Sequence, residues 1–316
     1  MVDRDLLLAA RPRWRGQHGR VEVWYATLTD PDTGTGAWIH AELVAPADPT
    51  GDAYRHGWVA LFPPDAPPLV ERFGPEPGAS VDGATWFRSD ACIVGLGELA
   101  GQTGAARWDL RFTDVTPPLF TFPRRAWARE LLPAAQVVVA PSATFQGTIS
   151  IGERRLELHR AVGALAHIYG HGNAARWAWL HADLGAGDVC EVVTAVSRRP
   201  GLRRLPPLAF LQLRLGGQTW PRSPAAILTS RTHVHTDRWD VTIRERARRV
   251  HVEVQLPADR CLALSYSDPD GATATCTNSE RADATITLER RGPGKWEVDQ
   301  RWHVRGTAHA EIGTRP

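Results

Sequence analysis

The chain has 316 residues, 43% of them hydrophobic and 23% charged, so it can bury a sizeable core and is long enough for two domains. Its 37 basic and 35 acidic residues leave a net charge of +2, and the arginines are scattered, which excludes an overall field for nucleic acid or an anionic membrane. Lys295 is the only lysine, which argues against Schiff-base and P-loop chemistry.

The N-terminal stretch from Met1 to Arg11 carries early acidic residues and a short apolar run, unlike a signal segment, and no apolar run reaches the length of a membrane span. Cys92, Cys190, Cys261 and Cys276 show no C-x-x-C spacing. These features predict free thiols in a cytoplasmic protein without integral membrane contact, with a Cys261–Cys276 pair as the alternative in an oxidising compartment.

In chain order, Val21–Leu28, the turn-rich Asp30–Gly36 and Ala37–Val44 predict a hairpin. Strands are expected at Gly57–Phe62, Thr85–Phe87, Ala106–Thr113, Val137–Ala140, Phe145–Ile151 and Arg154–Arg160, with a helix at Pro123–Leu132. The run Gly163–Asn173 reads as a turn-rich segment, and Trp177–Leu184 and Val189–Val196 read as strands. Ser197–Pro207, with its arginines, three prolines and a glycine, reads as a linker. Beyond it, strands are expected at Ala209–Leu215, Ala226–Thr232, Trp239–Arg246, Val250–Leu256, Cys261–Ser267, Thr273–Thr277, Thr285–Arg290, Trp296–Val304 and Thr307–Gly313. Many short strands broken by turns predict an all-β protein, with domains at 1–197 and 206–316.

Two constellations carry chemistry. In Trp177–Leu184 the alternation puts Trp177, Trp179, His181 and Asp183 on one face and small apolar residues on the other. Two π surfaces, an imidazole and a carboxylate suit the wall of an apolar ligand cavity; a barrel interior merely filled by tryptophans is the structural alternative. His167 and His171 stand four apart, but the glycines around them argue against a helical zinc pair, and no metal site is expected. Gly95–Gly101 lacks the setting of a dinucleotide loop, the serines lack a G-x-S-x-G elbow, and Asp268–Gly271 reads as a hairpin turn rather than a calcium loop. Cys276–Arg281 reads as a polar strand end without a chemical role.

Three pieces, in order, resemble the lipocalin-like double-barrel superfamily of carotenoid 1,2-hydratases, tocopherol cyclases and calycin-type Diels–Alderases. They are Glu22-Val-Trp24-Tyr25; His167-Ile-Tyr169-Gly170 followed by Trp177-Ala-Trp179; and Gly306-Thr-Ala-His-Ala-Glu311-Ile-Gly313. Where that family has the Asp of Asp-His, this chain has Ala166, and Tyr169 replaces its Trp. The resemblance implies two tandem antiparallel lipocalin-like (calycin) β-barrels and an enzyme acting without a cofactor on a bulky hydrophobic metabolite of isoprenoid or polyketide type, by cyclisation, isomerisation or hydration. Protonating an isolated double bond needs a strong acid, so Asp183, Glu22 or Glu191 would have to replace the missing carboxylate, and burial would keep such a group protonated. The expected catalytic residues are Asp183, His181, His167 and Tyr169. The expected ligand-binding residues are Trp24, Tyr25, Trp177, Trp179, His171 and Asn173. A carrier that shields a hydrophobic ligand without chemistry is the competing reading, since one fold serves both.

Overall fold

The computed structural model describes residues 4–78, 81, 83–130, 134–199, 201–204 and 206–315. Met1, Leu132, Pro200 and Leu205, which belong to the N-terminal, helix and linker expectations above, lie outside the described residues. The chain is nearly all antiparallel strand. Helix α1 (Arg4–Ala10) precedes β1 (Arg20–Thr29), β2 (Gly36–Ala45), β3 (Tyr54–Phe62), β4 (Leu69–Pro77), β5 (Thr85–Arg88), β6 (Cys92–Gly95), β7 (Glu98–Thr103), β8 (Ala106–Thr113) and β9 (Leu119–Phe120). Helix α2 (Arg124–Ala128) leads into β10 (Ala134–Ile151), β11 (Arg154–Gly170), β12 (Arg176–Gly185), β13 (Asp188–Val196), β14 (Leu208–Leu215) and β15 (Gln218–Trp220). The remainder is β16 (Arg231–Val234), β17 (Arg238–Glu245), β18 (Arg248–Gln255), β19 (Leu262–Ser267), β20 (Thr273–Arg291) and β21 (Trp296–Thr314).

Two sheets result, each curled into a half-barrel, as expected for tandem lipocalin-like sheets. The first runs β4-β3-β2-β1-β11-β10-β8-β7-β6-β5 and the second β15-β14-β13-β12-β21-β20-β18-β17-β16. The plan repeats: a meander ends on a strand (β1 or β12) that pairs with the last strand of its sheet, whose long hairpin partner starts the return. The chain divides into one unit of residues 1–172 and 267–273 and another of 173–266 and 274–316. The boundary expected at 197–206 therefore falls inside the second unit, because β12 and β13 pair with β21 and β14. The turn residues 267–273 belong to the first unit, where Pro269 O accepts the Ala47 N–H at 2.6 Å.

Inward residues alternate along every strand. Trp24, Ala26, Leu28, Ile39, Leu61, Phe145 and Leu165 belong to the first core. Ala178, Leu180, Val192, Leu211, Val252 and Ile286 belong to the second. Of the segment read as a two-histidine turn, Gly163–Gly170 is instead the second half of β11, paired with β1 and β10, and His171–Asn173 lie beyond the strand end. Its glycine reflects close strand approach: a Cβ on Gly163 would sit 2.2 Å from Thr27 O. Val137–Ala140 and Phe145–Ile151 merge into β10, and Thr273–Thr277 and Thr285–Arg290 into β20, each carried across its gap by register shifts. Pro224–Thr229 is a 3-10 turn where a strand was expected. Strands β4 and β15 escape the sequence reading because they are edges, where proline, charge and short length are tolerated.

Candidate active site

In the first unit the family-like residues close the end of the sheet around α1. A helix leaves its last carbonyls without intrahelical donors. Here Trp127 Nε1 donates to Leu8 O at 3.1 Å, Trp24 Nε1 donates to Ala10 O at 3.3 Å, and His167 Nδ1 lies 2.7 Å from Ala9 O. His167 Nε2 is 2.9 Å from Glu22 Oε1, and the same carboxylate accepts the backbone N–H of Arg13 at 2.6 Å and of Trp14 at 2.9 Å. His167 also stacks on Trp24, with centroids 4.6 Å apart. Both ring nitrogens are engaged and the side chain is fully buried. Tyr169 lies beside Arg13, whose guanidinium is 5.5 Å from its ring, and burial raises its phenol pKa. His171 is exposed, with Nδ1 2.8 Å from Arg20 Nη1, and Asn173 is half-buried at the start of the second unit.

The alternation in β2 and β3 produces a second feature of this unit. Trp38, His40, Glu42 and Trp58 point away from the core of their own sheet yet are buried. His40 stacks on Trp58 with centroids 3.9 Å apart, and Tyr25 stacks on His40 at 6.5 Å. Glu42 Oε2 stands 3.0 Å from His40 Nε2 and 3.7 Å from His56 Nε2. Burial outweighs the neighbouring His56 and pushes the Glu42 carboxyl up to about 7; it holds His40 well below the usual imidazole range.

In the second unit, Trp177, Trp179, His181 and Asp183 share one face of β12, opposite Ala178, Leu180 and Ala182, which enter the core. Register adds the rest of that face: Trp179 is opposite Glu311, His181 is opposite His309 on β21 and Glu191 on β13, and Asn278 on β20 is opposite Glu311. Trp177 Nε1 donates to Glu311 Oε1 at 2.7 Å, and Trp179 Nε1 donates to Glu191 Oε1 at 2.6 Å. Glu191 Oε2 is 2.9 Å from His181 Nδ1, and Glu280 Oε2 is 2.6 Å from His309 Nδ1. His181, Glu191, Asn278, Glu280 and His309 expose 2% or less, so this wall is shut off from bulk water. The buried His181 Nε2 has no hydrogen-bond partner among the described residues. Asp183 sits half-buried at the strand end, its Oδ1 accepting the Gly185 N–H at 2.7 Å.

Burial sets the proton inventory of this face. It raises the Glu280 carboxyl well above the usual range, against the opposing pull of Asn278 and His181, which favours the protonated acid. Burial also raises Glu311, opposed by its bond from Trp177. His309 is drawn down to about 3 by burial and then by the charge of His181, and is neutral. The arrangement is a carboxyl with a strongly raised pKa 2.6 Å from a neutral imidazole, on a wall that also carries Trp177 and Trp179.

Sequence reasoning placed Trp177, Trp179 and His181 on one wall, and the structure keeps them together. It places His167, Tyr169 and Trp24 in the other unit, around α1. Sequence reasoning missed Glu280, His309, Asn278 and the Trp38–His40–Glu42 face. A period-2 signal was present in each strand, as Asn278-x-Glu280 and His309-x-Glu311 show, but no sequence pattern says that β12, β20 and β21 lie side by side.

Two antiparallel sheets, each curled into a half-barrel, define a lipocalin-like double-barrel protein. A family model described as tocopherol cyclase-like matches residues 87–314. The chain belongs to the tocopherol cyclase-like family, whose members are enzymes of cyclase or hydratase type. It is 52% identical over 314 residues, 99% of this chain and 92% of the relative, to the uncharacterized protein Rv0493c of Mycobacterium tuberculosis strain ATCC 25618 / H37Rv. Among solved structures, CghA with Sch210972 aligns with a TM-score of 0.61 at 14% identity, covering 94% of this chain and 88% of that one. Kievitone hydratase from Nectria haematococca aligns with a TM-score of 0.53 at 12% identity, covering 97% and 91%. These two likenesses establish the fold.

Among the described residues, no helix is long and apolar enough to cross a membrane. All four cysteines are free thiols.

Proposed function

We propose that the protein catalyses acid-initiated cyclisation or hydration of a carbon–carbon double bond in a bulky apolar metabolite of isoprenoid or polyketide type, without a cofactor. The observation that carries this reading is Glu280, a carboxyl with 0% exposure whose pKa burial raises well above the usual range, 2.6 Å from His309 Nδ1. Glu280 gives its proton to one alkene carbon and the π electrons form the new C–H bond. The cation on the other carbon is stabilised by the indole faces of Trp177 and Trp179, and the carboxylate left behind by Asn278 and His181. A water molecule or a substrate hydroxyl then attacks the cation, and its proton returns to Glu280, so the acid is restored at each turnover. This supplies the acid missing at Ala166 from a strand remote in sequence.

In the same scheme His181 is held by Glu191, and its Nε2 is the donor or acceptor offered to a polar point of the substrate. Asp183 acts through His309, whose basicity its charge raises. Trp24, His167 and Tyr169 build the scaffold around α1, and this scheme assigns no step to Tyr25, His171 and Asn173.

Incubating the purified protein with prenylated hydroquinones and acyclic carotenoids, with products followed by mass spectrometry, tests the proposal. Wild type is expected to convert a member of one class, and Glu280→Gln, close in shape, to lose about a hundred- to ten-thousand-fold in turnover. Equal turnover by Glu280→Gln defeats the acid assignment, and saturable binding with no product favours a carrier.

A further inference from the structure

The small net charge hides one local excess. Every charged residue between Glu191 and Asp237 is an arginine, so the rest of the chain is net negative. Much of this stretch comes together in the second unit. The connection from β13 to β14 folds back on itself, with the Arg199 N–H donating to Ser197 Oγ at 3.2 Å and Arg203 Nε donating to Arg198 O at 3.2 Å. Arg199, Arg203 and Arg204 are exposed there. Strand β14 then begins beside the 3-10 turn Pro224–Thr229, because the Ala209 N–H donates to Ser230 Oγ at 3.5 Å. Thr229 Oγ1 lies 2.7 Å from Arg244 O and accepts the Arg244 N–H at 2.9 Å, which adds the end of β17.

Alternation turns these charges outward. Ala209, Leu211, Val241 and Ile243 enter the core, so Leu208 and Arg244 face away from it, and Arg231 is exposed at the start of β16. None of Arg199, Arg203, Arg204, Arg231 and Arg244 has an acidic partner within 4 Å among the described residues. Nearby acids are engaged: Glu245 accepts the N–H groups of Arg222 and Ser223 at 3.0 and 2.7 Å, and Asp240 holds His233 at 3.1 Å. Among the guanidiniums stand two leucines in water, Leu208 at 47% exposure and Leu228 at 81%. Unpaired arginines attract phosphate oxygens, which the planar guanidinium binds in pairs. Nucleic acid and a lipid headgroup layer both present such oxygens, and the leucines separate the two. On nucleic acid Leu228 would stay in water, whereas the boundary between headgroups and acyl chains takes up an apolar side chain. Among the described residues no phenylalanine, tyrosine or tryptophan is exposed to stack on bases.

We propose that this face docks on an anionic lipid bilayer, with Arg199, Arg203, Arg204, Arg231 and Arg244 on lipid phosphates and Leu208 and Leu228 in the outer acyl layer. The docking stands on charge and exposure alone and is independent of the Glu280 chemistry, so either reading can fail without the other. One consequence rests on the function proposed above. Leu208 is opposite Ala195, which is opposite Trp177, so the docked edge borders the wall at which a lipid-dissolved substrate reacts.

Co-sedimentation with sucrose-loaded vesicles tests it, comparing phosphatidylcholine alone with phosphatidylcholine containing roughly one-third phosphatidylglycerol. Wild type is expected to bind the anionic vesicles about tenfold or more tighter than the neutral ones, and to lose that preference as salt rises. An arginine near an anionic surface contributes about fivefold, so Arg199→Ser, Arg203→Ser and Arg204→Ser combined should lose on the order of a hundredfold. Leu228→Ser should lose several-fold at every salt concentration, because its contribution is apolar. No binding of wild type to the anionic vesicles, or undiminished binding by the combined variant, overturns the proposal. Binding unaffected by Leu228→Ser and matched by duplex DNA at equal phosphate concentration also overturns it and assigns the face to nucleic acid. Should the combined variant fail to fold, Leu228→Ser decides by the same readout.

Discussion

Glu42 gives the first unit a pH dependence with a definite sign. Its folded-state carboxyl sits at about 7 against an ordinary 4.5, so between those values the folded protein binds more protons than the unfolded chain. The contribution of Glu42 to stability is therefore full below about pH 4.5 and falls as pH rises through 7, by roughly 3 kcal/mol when integrated over that shift. The lowered imidazoles of His40 and His56 act with the opposite sign below about pH 6.5, so the Glu42 part is read as a difference: between pH 5 and pH 8, urea unfolding should show the stability of wild type falling relative to that of Glu42→Gln. A second residue-scale prediction separates scaffold from chemistry. His167→Ala strips Glu22 of its imidazole partner and Ala9 O of its donor. Because Glu22 keeps two backbone N–H bonds, the loss should be near the low end for a broken buried pair, about 3 kcal/mol, with faster proteolysis around Arg11–Arg15. Wild-type stability with lost turnover would instead make His167 catalytic.

Strands explain what could and could not be read from sequence. Trp177–Leu184 was legible because its residue sizes and polarities alternate without interruption, and the structure keeps that alternation in β12. The stretch His167–Gly170 was misread as a turn because glycine signals both a turn and a close backbone approach, and only the neighbouring strand tells them apart. Cys276–Arg281 carried no legible chemistry because Glu280 gains meaning only from His309, which reaches it across a register shift between β20 and β21. The closing strand offers a direct probe of this packing. Trp177 lies over Gly313, where a Cβ would sit 1.9 Å from the indole ring. Gly313→Ala should therefore displace Trp177, weaken its bond to Glu311, and cost roughly 1–3 kcal/mol by thermal or urea unfolding. An unaltered Trp177 environment in fluorescence would contradict the close packing.

At the level of the whole chain, the all-β class and the tandem plan follow from short alternating strands and frequent turns. The boundary between units did not, because a linker-like composition at Ser197–Pro207 marks only a connection between β13 and β14, two neighbours in one sheet. A break placed there removes β12 and β13 from their partners β21 and β14. Fragment 206–316 expressed alone should accordingly lack a cooperative unfolding transition, whereas 1–197 keeps every strand of the first sheet; a cooperatively folded 206–316 fragment would refute the second sheet as described. In the proposed reaction a proton from Glu280 reaches substrate carbon. Turnover in D2O tests it most directly: product from wild type should carry one deuterium at the newly formed C–H bond, and Glu280→Gln should form little of that product. Product without carbon-bound deuterium, or undiminished labelled product from Glu280→Gln, would contradict it.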